Sequence, residues 1–403
     1  MHTDAAGRGA LPHNPDGRAP RTRDTARDVD VAIIGAGPAG LSTALHLVRA
    51  DPAWAERVVL LDRAVHPRPK PCAGGVTHLA MEVLAGLGLD DLPSHASISA
   101  ARMAFEDLSY AFHGDPVLRV FERSAFDAWL VRHARRSGLA VEEGVTVRDV
   151  RPGAGATEIR TDTTRYRARV VVVADGANSP TRRALAWPEV APIACLIETT
   201  VAAPTPGRSG ADAGDVALFD FTALPAGLAG YAWRFPSRRG DQPATNVGVY
   251  DSRARGRRAP LDLARVLRAA LPAGTSPAQL DRPVGSTLRW YSHRAALARP
   301  GVLLAGDAAG SDPLFGEGIA FALAYGRVAA LAIVDAERRR DLGFDRYAGM
   351  VRHDPVLRHL TERARLAPIA YAAFPASVSR MGWRAVGWGV RFTRWRASAR
   401  RAA

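Results

Sequence analysis

VDVAIIGAGPAGL, residues 29–41, decides the fold of this chain. An apolar run from Val29 to Ile34 meets a glycine-rich turn, and the turn opens a helix-like segment from Leu41 to Ala50. Gly35, Gly37 and Gly40, with Ala39 among them, give a tight turn and let the backbone approach a pyrophosphate held at a helix N-terminus. A second apolar run, Val58 to Leu61, ends on Asp62, with Arg63 next to it. A carboxylate there is placed to grip the two hydroxyls of an adenosine ribose. Alone the glycine pattern is weak, but two further segments follow it in the right order.

VVVADGANSPTRR at 171–183 brings Asp175 and Gly176 to the end of another apolar run. GVLLAGDAAGSDPLFGEGI at 301–319 separates FAD from NAD. Its Gly306 and Asp307 close the run Val302 to Ala305, where the carboxylate can hydrogen-bond the ribityl chain that FAD has and NAD lacks. Pro313, Gly316, Gly318 and Ile319 lead into a helical run, 319–334. Free amides at its start would face the flavin pyrimidine edge and stabilise the charge of reduced flavin. The three segments together predict an α/β flavoprotein: a doubly wound, Rossmann-like FAD-binding domain with an inserted β-sheet substrate domain and a helical C-terminal region.

The pattern of strands and helices assigns 29–95, 120–190 and 286–335 to the FAD-binding domain, and 96–119 and 191–285 to the substrate domain. Residues 1–28, rich in Arg, Asp, Gly and Pro, read as a disordered extension, and 336–403 as helical. A chain of 403 residues is ample for two domains. No run reads as a signal peptide or an uninterrupted span, and the two cysteines, Cys72 and Cys195, form no disulfide framework or metal cluster. A cytoplasmic protein is expected, without a metal. The net charge is +14, yet of 54 basic residues only Lys70 is a lysine. The arginines are scattered, which argues against nucleic acid as a partner.

Three more stretches narrow the chemistry. Lys70-Pro71-Cys72-Ala73-Gly74-Gly75 follows Asp62 by a short loop, and Arg123-x-x-Phe126-Asp127-x-x-Leu130 starts an amphipathic helix with an arginine suited to the cofactor. Gly230-Tyr231-Ala232-Trp233-Arg234-Phe235-Pro236 reads as a strand with Tyr231, Trp233 and Phe235 on one face, either an apolar wall for a ligand or a sheet core.

With GAGPAG, RSAFDAWL, ADGANSPTRR, NVGV and GDAAGSDPLFGEGI, these stretches resemble the geranylgeranyl reductase family of flavoproteins over roughly 29–335. The resemblance implies a p-hydroxybenzoate hydroxylase-like fold, FAD, and reduction of carbon–carbon double bonds in prenyl chains of lipids, quinones or chlorophyll precursors. Ala73 departs mildly from the family's usual glycine. Such chemistry joins protonation of an electron-rich alkene to hydride delivery from flavin N5, so it calls for an acid and a dry, cation-tolerant channel. Cys72 is the candidate acid or packing residue beside the flavin; Tyr231, Trp233 and Phe235 suit the channel, since aromatic faces stabilise positive charge. Lys70 and Gly74 are candidate cofactor contacts. No second dinucleotide motif occurs, so electrons are expected from an external donor, reduced nicotinamide or a ferredoxin-type protein.

Two alternatives stand beside this reading. One is a monooxygenase or halogenase of the same fold. Hydroxylases usually carry histidine where this chain has Gly310, and halogenases need a lysine later in the chain than Lys70. The other is a non-catalytic isoprenoid carrier or electron-transfer module that holds FAD structurally. Finally, Met381 to Ala403 sets Trp383, Val386, Trp388, Val390, Phe392 and Trp395 among six arginines. That composition suits peripheral contact with an anionic bilayer, or a tail packed on the flavin domain.

Overall fold

The computed structural model describes residues 26–202, 215–254, 261–372 and 376–392, with side chains of the last segment described for 377–385. The first stretch of the chain forms β1 (Arg27–Ile34), α1 (Pro38–Ala50), α2 (Trp54–Arg57) and β2 (Val58–Asp62). Next come β3 (Gly75–Thr77), α3 (His78–Gly86), the hairpin β4 (His95–Phe105) and β5 (Leu108–Phe121), and α4 (Arg123–Arg136). They are followed by β6 (Ala140–Glu143), β7 (Val147–Pro152), β8 (Thr157–Thr161), β9 (Arg165–Val173) and α5 (Pro180–Ala184). The middle of the chain holds β10 (Ile193–Ala202), β11 (Val216–Asp220), β12 (Gly230–Arg239), β13 (Gln242–Asp251), α6 (Leu263–Ala270) and β14 (Val284–Arg289). It ends with β15 (Ala298–Arg299), β16 (Val302–Leu304), α7 (Ile319–Arg339), α8 (Tyr347–His353), α9 (Arg358–Ala370) and α10 (Ala376–Phe392).

Two sheets organise these elements. The first has the order β15-β16-β9-β1-β2-β6, with the β7–β8 hairpin continuing from β9. Its β16, β9, β1, β2 and β6 run parallel. Val31 to Ile34, Val58 to Leu61 and Val170 to Val173 are all buried, the continuous apolar pattern of strands covered on both faces. Helix α7 passes for a membrane span by length and hydropathy, but 72% of its apolar window is buried inside the protein. It is a core helix packed on α1, where Ser42 Oγ donates to the Leu323 carbonyl at 2.7 Å. A Cβ on Gly326 would stand 2.5 Å from the Cβ of Ser42, so this glycine sets how closely the helices cross.

The second sheet has the order β14-β10-β13-β12-β11-β4-β5-β3. It is antiparallel apart from the β4–β11 pair. Pieces that the sequence assigned to the first domain pair here instead, the end residues His95 and Val120–Phe121 among them. Gly75–Thr77 is antiparallel to β5, and 286–289 belongs to β14. A strand of three residues carries no readable alternation, and β14 meets the flavin-side loop without a turn signal.

The C-terminal helices pack on both sheets. Arg363 of α9 pairs with Asp312 and Glu317 at 2.6 and 2.7 Å. In α10, Trp383 stacks on Phe105 at 5.5 Å and lies 5.0 Å from Phe221, while Arg380 pairs with Glu106 and Asp107. Trp383, expected among residues suited to a bilayer, is therefore packed on the substrate sheet, because the rings of β4 and of the segment after β11 offer it an aromatic seat. The side chains of Val386, Trp388, Val390, Phe392 and Trp395 lie outside the described residues, as does 1–25 of the N-terminal extension.

Candidate active site

One cavity of about 1160 Å³ runs between the sheets. Ordinary small-molecule pockets span about 300–1,000 Å³, so it has room for more than one compact ligand. Gly35, Gly37, Ala39, Asp62, Arg63, Lys70, Cys72, Ala73, Arg123, Asp175, Gly176, Asp307, Gly316, Gly318 and Ile319 line it together with Tyr231, Trp233 and Phe235. Segments far apart in sequence thus converge on one space. Gly40, Gly74, Gly306 and Pro313 do not line it. A Cβ on Gly40 would stand 1.9 Å from the Gly35 carbonyl, and one on Gly74 2.0 Å from that of Phe121, so these two glycines shape the wall from behind.

The polar groups at one end fit a flavin dinucleotide. Gly37 precedes α1 and Gly318 precedes α7 as N-cap residues, neither with a side-chain cap, which leaves first-turn amides free for a ligand. Asp62 accepts from the amides of Ala36 at 2.7 Å and Ala64 at 2.8 Å, so the carboxylate also fixes the glycine turn that it was expected to serve as a ribose ligand. Asp175 accepts from the Thr181 amide at 3.1 Å through Oδ2, while its Oδ1 is buried without a partner. Burial pushes the Asp175 carboxyl up, against hydrogen bonds from Ser179 and Thr181. Asp307 stands half-buried at the cavity wall, where a Cβ on Gly318 would be 3.7 Å from its Oδ1.

Cys72 sits where this end meets the aromatic strand. Its amide donates to Glu198 Oε1 at 2.7 Å, and the Gly74 amide points at its Sγ from 3.4 Å. Arg123 is buried and forks onto both oxygens of Asp127 at 2.9 Å. Burial works against the guanidinium's charge, but Asp127 and the Cys72 sulfur more than offset it and hold Arg123 above its usual range. The arginine is a charged buttress to the cysteine as well as a cavity residue.

Tyr231, Trp233 and Phe235 do share a face and are all buried. Their polar atoms are tied off. The Tyr231 hydroxyl donates to the Phe315 carbonyl at 2.5 Å, and the Trp233 indole to Asn246 Oδ1 at 2.6 Å. Burial pushes the Tyr231 phenol well up, so it meets the cavity as a ring rather than as a proton source. Gly248 faces Trp233 across the β12–β13 pair, and a Cβ there would stand 2.1 Å from the indole. Gly310 is explained by backbone: its φ is +128°, and a Cβ would lie 2.6 Å from the Tyr291 Cα.

Several cavity and near-cavity residues escaped sequence reading. Arg363 and His359 reach the lining from α9, and Met103, Phe112 and Phe219 add to the apolar wall. Burial pushes Asp312 up against the pull of Arg363. Glu198, on β10 opposite Gly248, is only 7% exposed, and its Oε2 has no hydrogen-bond partner. Burial raises its carboxyl to about 7, opposed by the Cys72 amide, the Asn246 side chain and the charge of Arg123. The one sequence signal for it was a lone carboxylate inside ACLIETTVA.

The FAD binding domain family matches residues 28–348. The chain belongs to that family. Menaquinone reductase of Mycobacterium tuberculosis is 30% identical over 338 residues, covering 75% of this chain and 75% of the relative. Digeranylgeranylglycerophospholipid reductase 1 of Methanopyrus kandleri is 31% identical over 329 residues, covering 78% of this chain and 82% of the relative. This flavoprotein is thus an FAD-dependent oxidoreductase of the geranylgeranyl reductase family. In fold it is similar to a geranylgeranyl bacteriochlorophyll reductase-like protein from Thermoplasma acidophilum, with a TM-score of 0.74, 20% identity, and coverage of 90% of this chain and 92% of that one. It is also similar to a p-nitrophenol 4-monooxygenase from Pseudomonas putida, with a TM-score of 0.68, 19% identity, and coverage of 90% and 93%.

Proposed function

We propose that this flavoprotein reduces carbon–carbon double bonds in the prenyl chain of a lipid or quinone. The observation that carries the reading is the composite cavity: a polar, glycine-lined end continuous with an aromatic chamber, and Cys72 at their junction. When bound, FAD supplies the hydride. Asp62, Asp175, Asp307 and the first turns of α1 and α7 would hold it, with Lys70 and Arg123 as further contacts. The rings of Tyr231, Trp233 and Phe235 would seat the chain, exclude water and stabilise positive charge that develops on the alkene. Cys72 would hold the proton that the alkene receives. Relatives that reduce menaquinone and digeranylgeranylglycerophospholipid support a prenyl substrate.

Electrons would come from an external donor, reduced nicotinamide or a ferredoxin-type protein. Peripheral contact with a membrane would bring the substrate to the cavity, and exposed Leu366, Ile369, Val378 and Met381 on α9 and α10 are consistent with it. The test is mass spectrometry of prenyl quinones and lipids incubated with reduced enzyme: a product heavier by two hydrogens per bond, formed without oxygen consumption, is expected. Oxygen incorporation or halide transfer would replace this reading with the monooxygenase or halogenase one.

A further inference from the structure

Buried carboxylic acids with an unpartnered oxygen are costly, and they are kept where they serve a purpose. Glu198 is such a group, and it stands directly behind the cysteine assigned to the alkene. Its Oε1 accepts the Cys72 amide at 2.7 Å, while Oε2 is buried and free. Asn246, which contacts the carboxyl, also accepts the Trp233 indole N–H at 2.6 Å. Two polar contacts thus lie side by side between the aromatic wall and the cysteine loop, Trp233 on Asn246 and the Cys72 amide on Glu198. The strand positions flanking Glu198 are neutral, Gly248 on one side and Val284 on the other. The charged group that acts on it is Arg123 at the start of α4, with Asp127 and Arg68 behind the arginine, while Cys72 reaches it through the loop amide that carries the sulfur next to it in the chain.

We propose that Glu198 is the proton reservoir behind Cys72, a positioning and proton-holding residue that restores the cysteine after each reduction. The inference rests on the prenyl-reductase reading. In each turnover the Cys72 S–H bond breaks as a C–H bond forms on the alkene, whose other carbon takes the hydride; the electrons come from the external donor. The O–H bond of Glu198 then breaks as the S–H bond re-forms, and the carboxylate takes a proton from solvent before the next turnover. Arg123, beside the sulfur, steadies the thiolate in the interval.

The test compares wild type with Glu198→Gln, which keeps the shape and an acceptor for the Cys72 amide but carries no transferable acid proton. Glutamate labelled with 13C at Cδ reads the protonation state directly. One carboxyl resonance that titrates near pH 7 in wild type and is missing from E198Q is expected; wild type in which every glutamate titrates below about 5 would overturn the proposal. With FAD-loaded enzyme reduced by dithionite and a menaquinone in detergent micelles as probe, wild-type turnover should fall as pH rises through about 7. E198Q should run about a hundredfold slower at pH 6 and lack that break. Glu198→Asp should retain a break, displaced in pH, which separates loss of the acid from loss of packing. Flavin reduction by dithionite should be equal in all three. An E198Q rate and pH profile matching an active wild type would sink the reservoir alone, whereas a wild type inert toward prenyl substrates would sink the reading on which it stands.

Discussion

Replacing Cys72 by Ala takes away one sulfur and leaves the loop intact, since the hydrogen bond to Glu198 comes from the backbone. Alkene reduction should slow by about a hundredfold while the donor reduces the flavin at the wild-type rate; stopped-flow absorbance separates the two steps, and equal turnover would remove Cys72 from the chemistry. Asp307→Ala should weaken FAD retention by about 1–3 kcal/mol, roughly 5- to 150-fold in affinity, measured as flavin left after dialysis. Arg123→Met removes the bidentate partner of the fully buried Asp127 and leaves it only Arg68 at 3.3 Å, so it should cost at most about 3–5 kcal/mol in urea unfolding. Glu198 gives a stability slope of unusual sign. Its folded carboxyl titrates at about 7 against 4.5 for the ordinary group, so the folded protein holds the proton more tightly than the unfolded chain. That stabilisation is complete below about pH 4.5 and is lost as pH rises toward 7. E198Q should therefore gain on wild type between pH 4.5 and pH 8, and a stability difference equal at the two pH values would contradict the assignment.

Among the elements, those built around backbone demands were legible in the sequence. Gly35 and Gly40 are fixed by carbonyls that a side chain would strike, and the aromatic alternation of β12 is fixed by its buried face. Glu198 was not legible because its meaning comes from register: only the pairing of β10 with β13 sets it beside Asn246, and only the loop after β2 brings it the Cys72 amide. Arg363 was hidden for a similar reason, since nothing in α9 announces the acidic pair at 312 and 317. The NVGV strand shows how such register can be tested. Gly248→Ala places a methyl where the Trp233 indole lies, an overpacking expected to cost about 1–3 kcal/mol. Its readouts are a lower melting temperature and altered tryptophan fluorescence, with FAD retention unchanged; loss of the cofactor would mean that the strand supports the flavin end as well.

At the scale of the whole molecule, α10 has to be tested as a unit. Trp383 is seated on Phe105 and Phe221, so a chain ended at Ala372 uncovers those rings while removing Val378 and Met381. If the C-terminal helices mediate peripheral membrane contact, the full chain should co-sediment with anionic liposomes more than with neutral ones, and the shortened chain should lose that preference. Equal sedimentation of both chains would remove the tail as an anchor.

The clasp of Arg363 on Asp312 and Glu317 has a bearing on biosynthesis. The loop that closes the flavin end is secured by a residue some fifty positions downstream of it, so a nascent chain still hidden in the ribosome beyond α8 has its nucleotide turn but no fastened rim. A chain ended before α9 therefore keeps every residue proposed to hold FAD, yet leaves the neighbouring carboxylates of Asp312 and Glu317 facing each other without this cation between them.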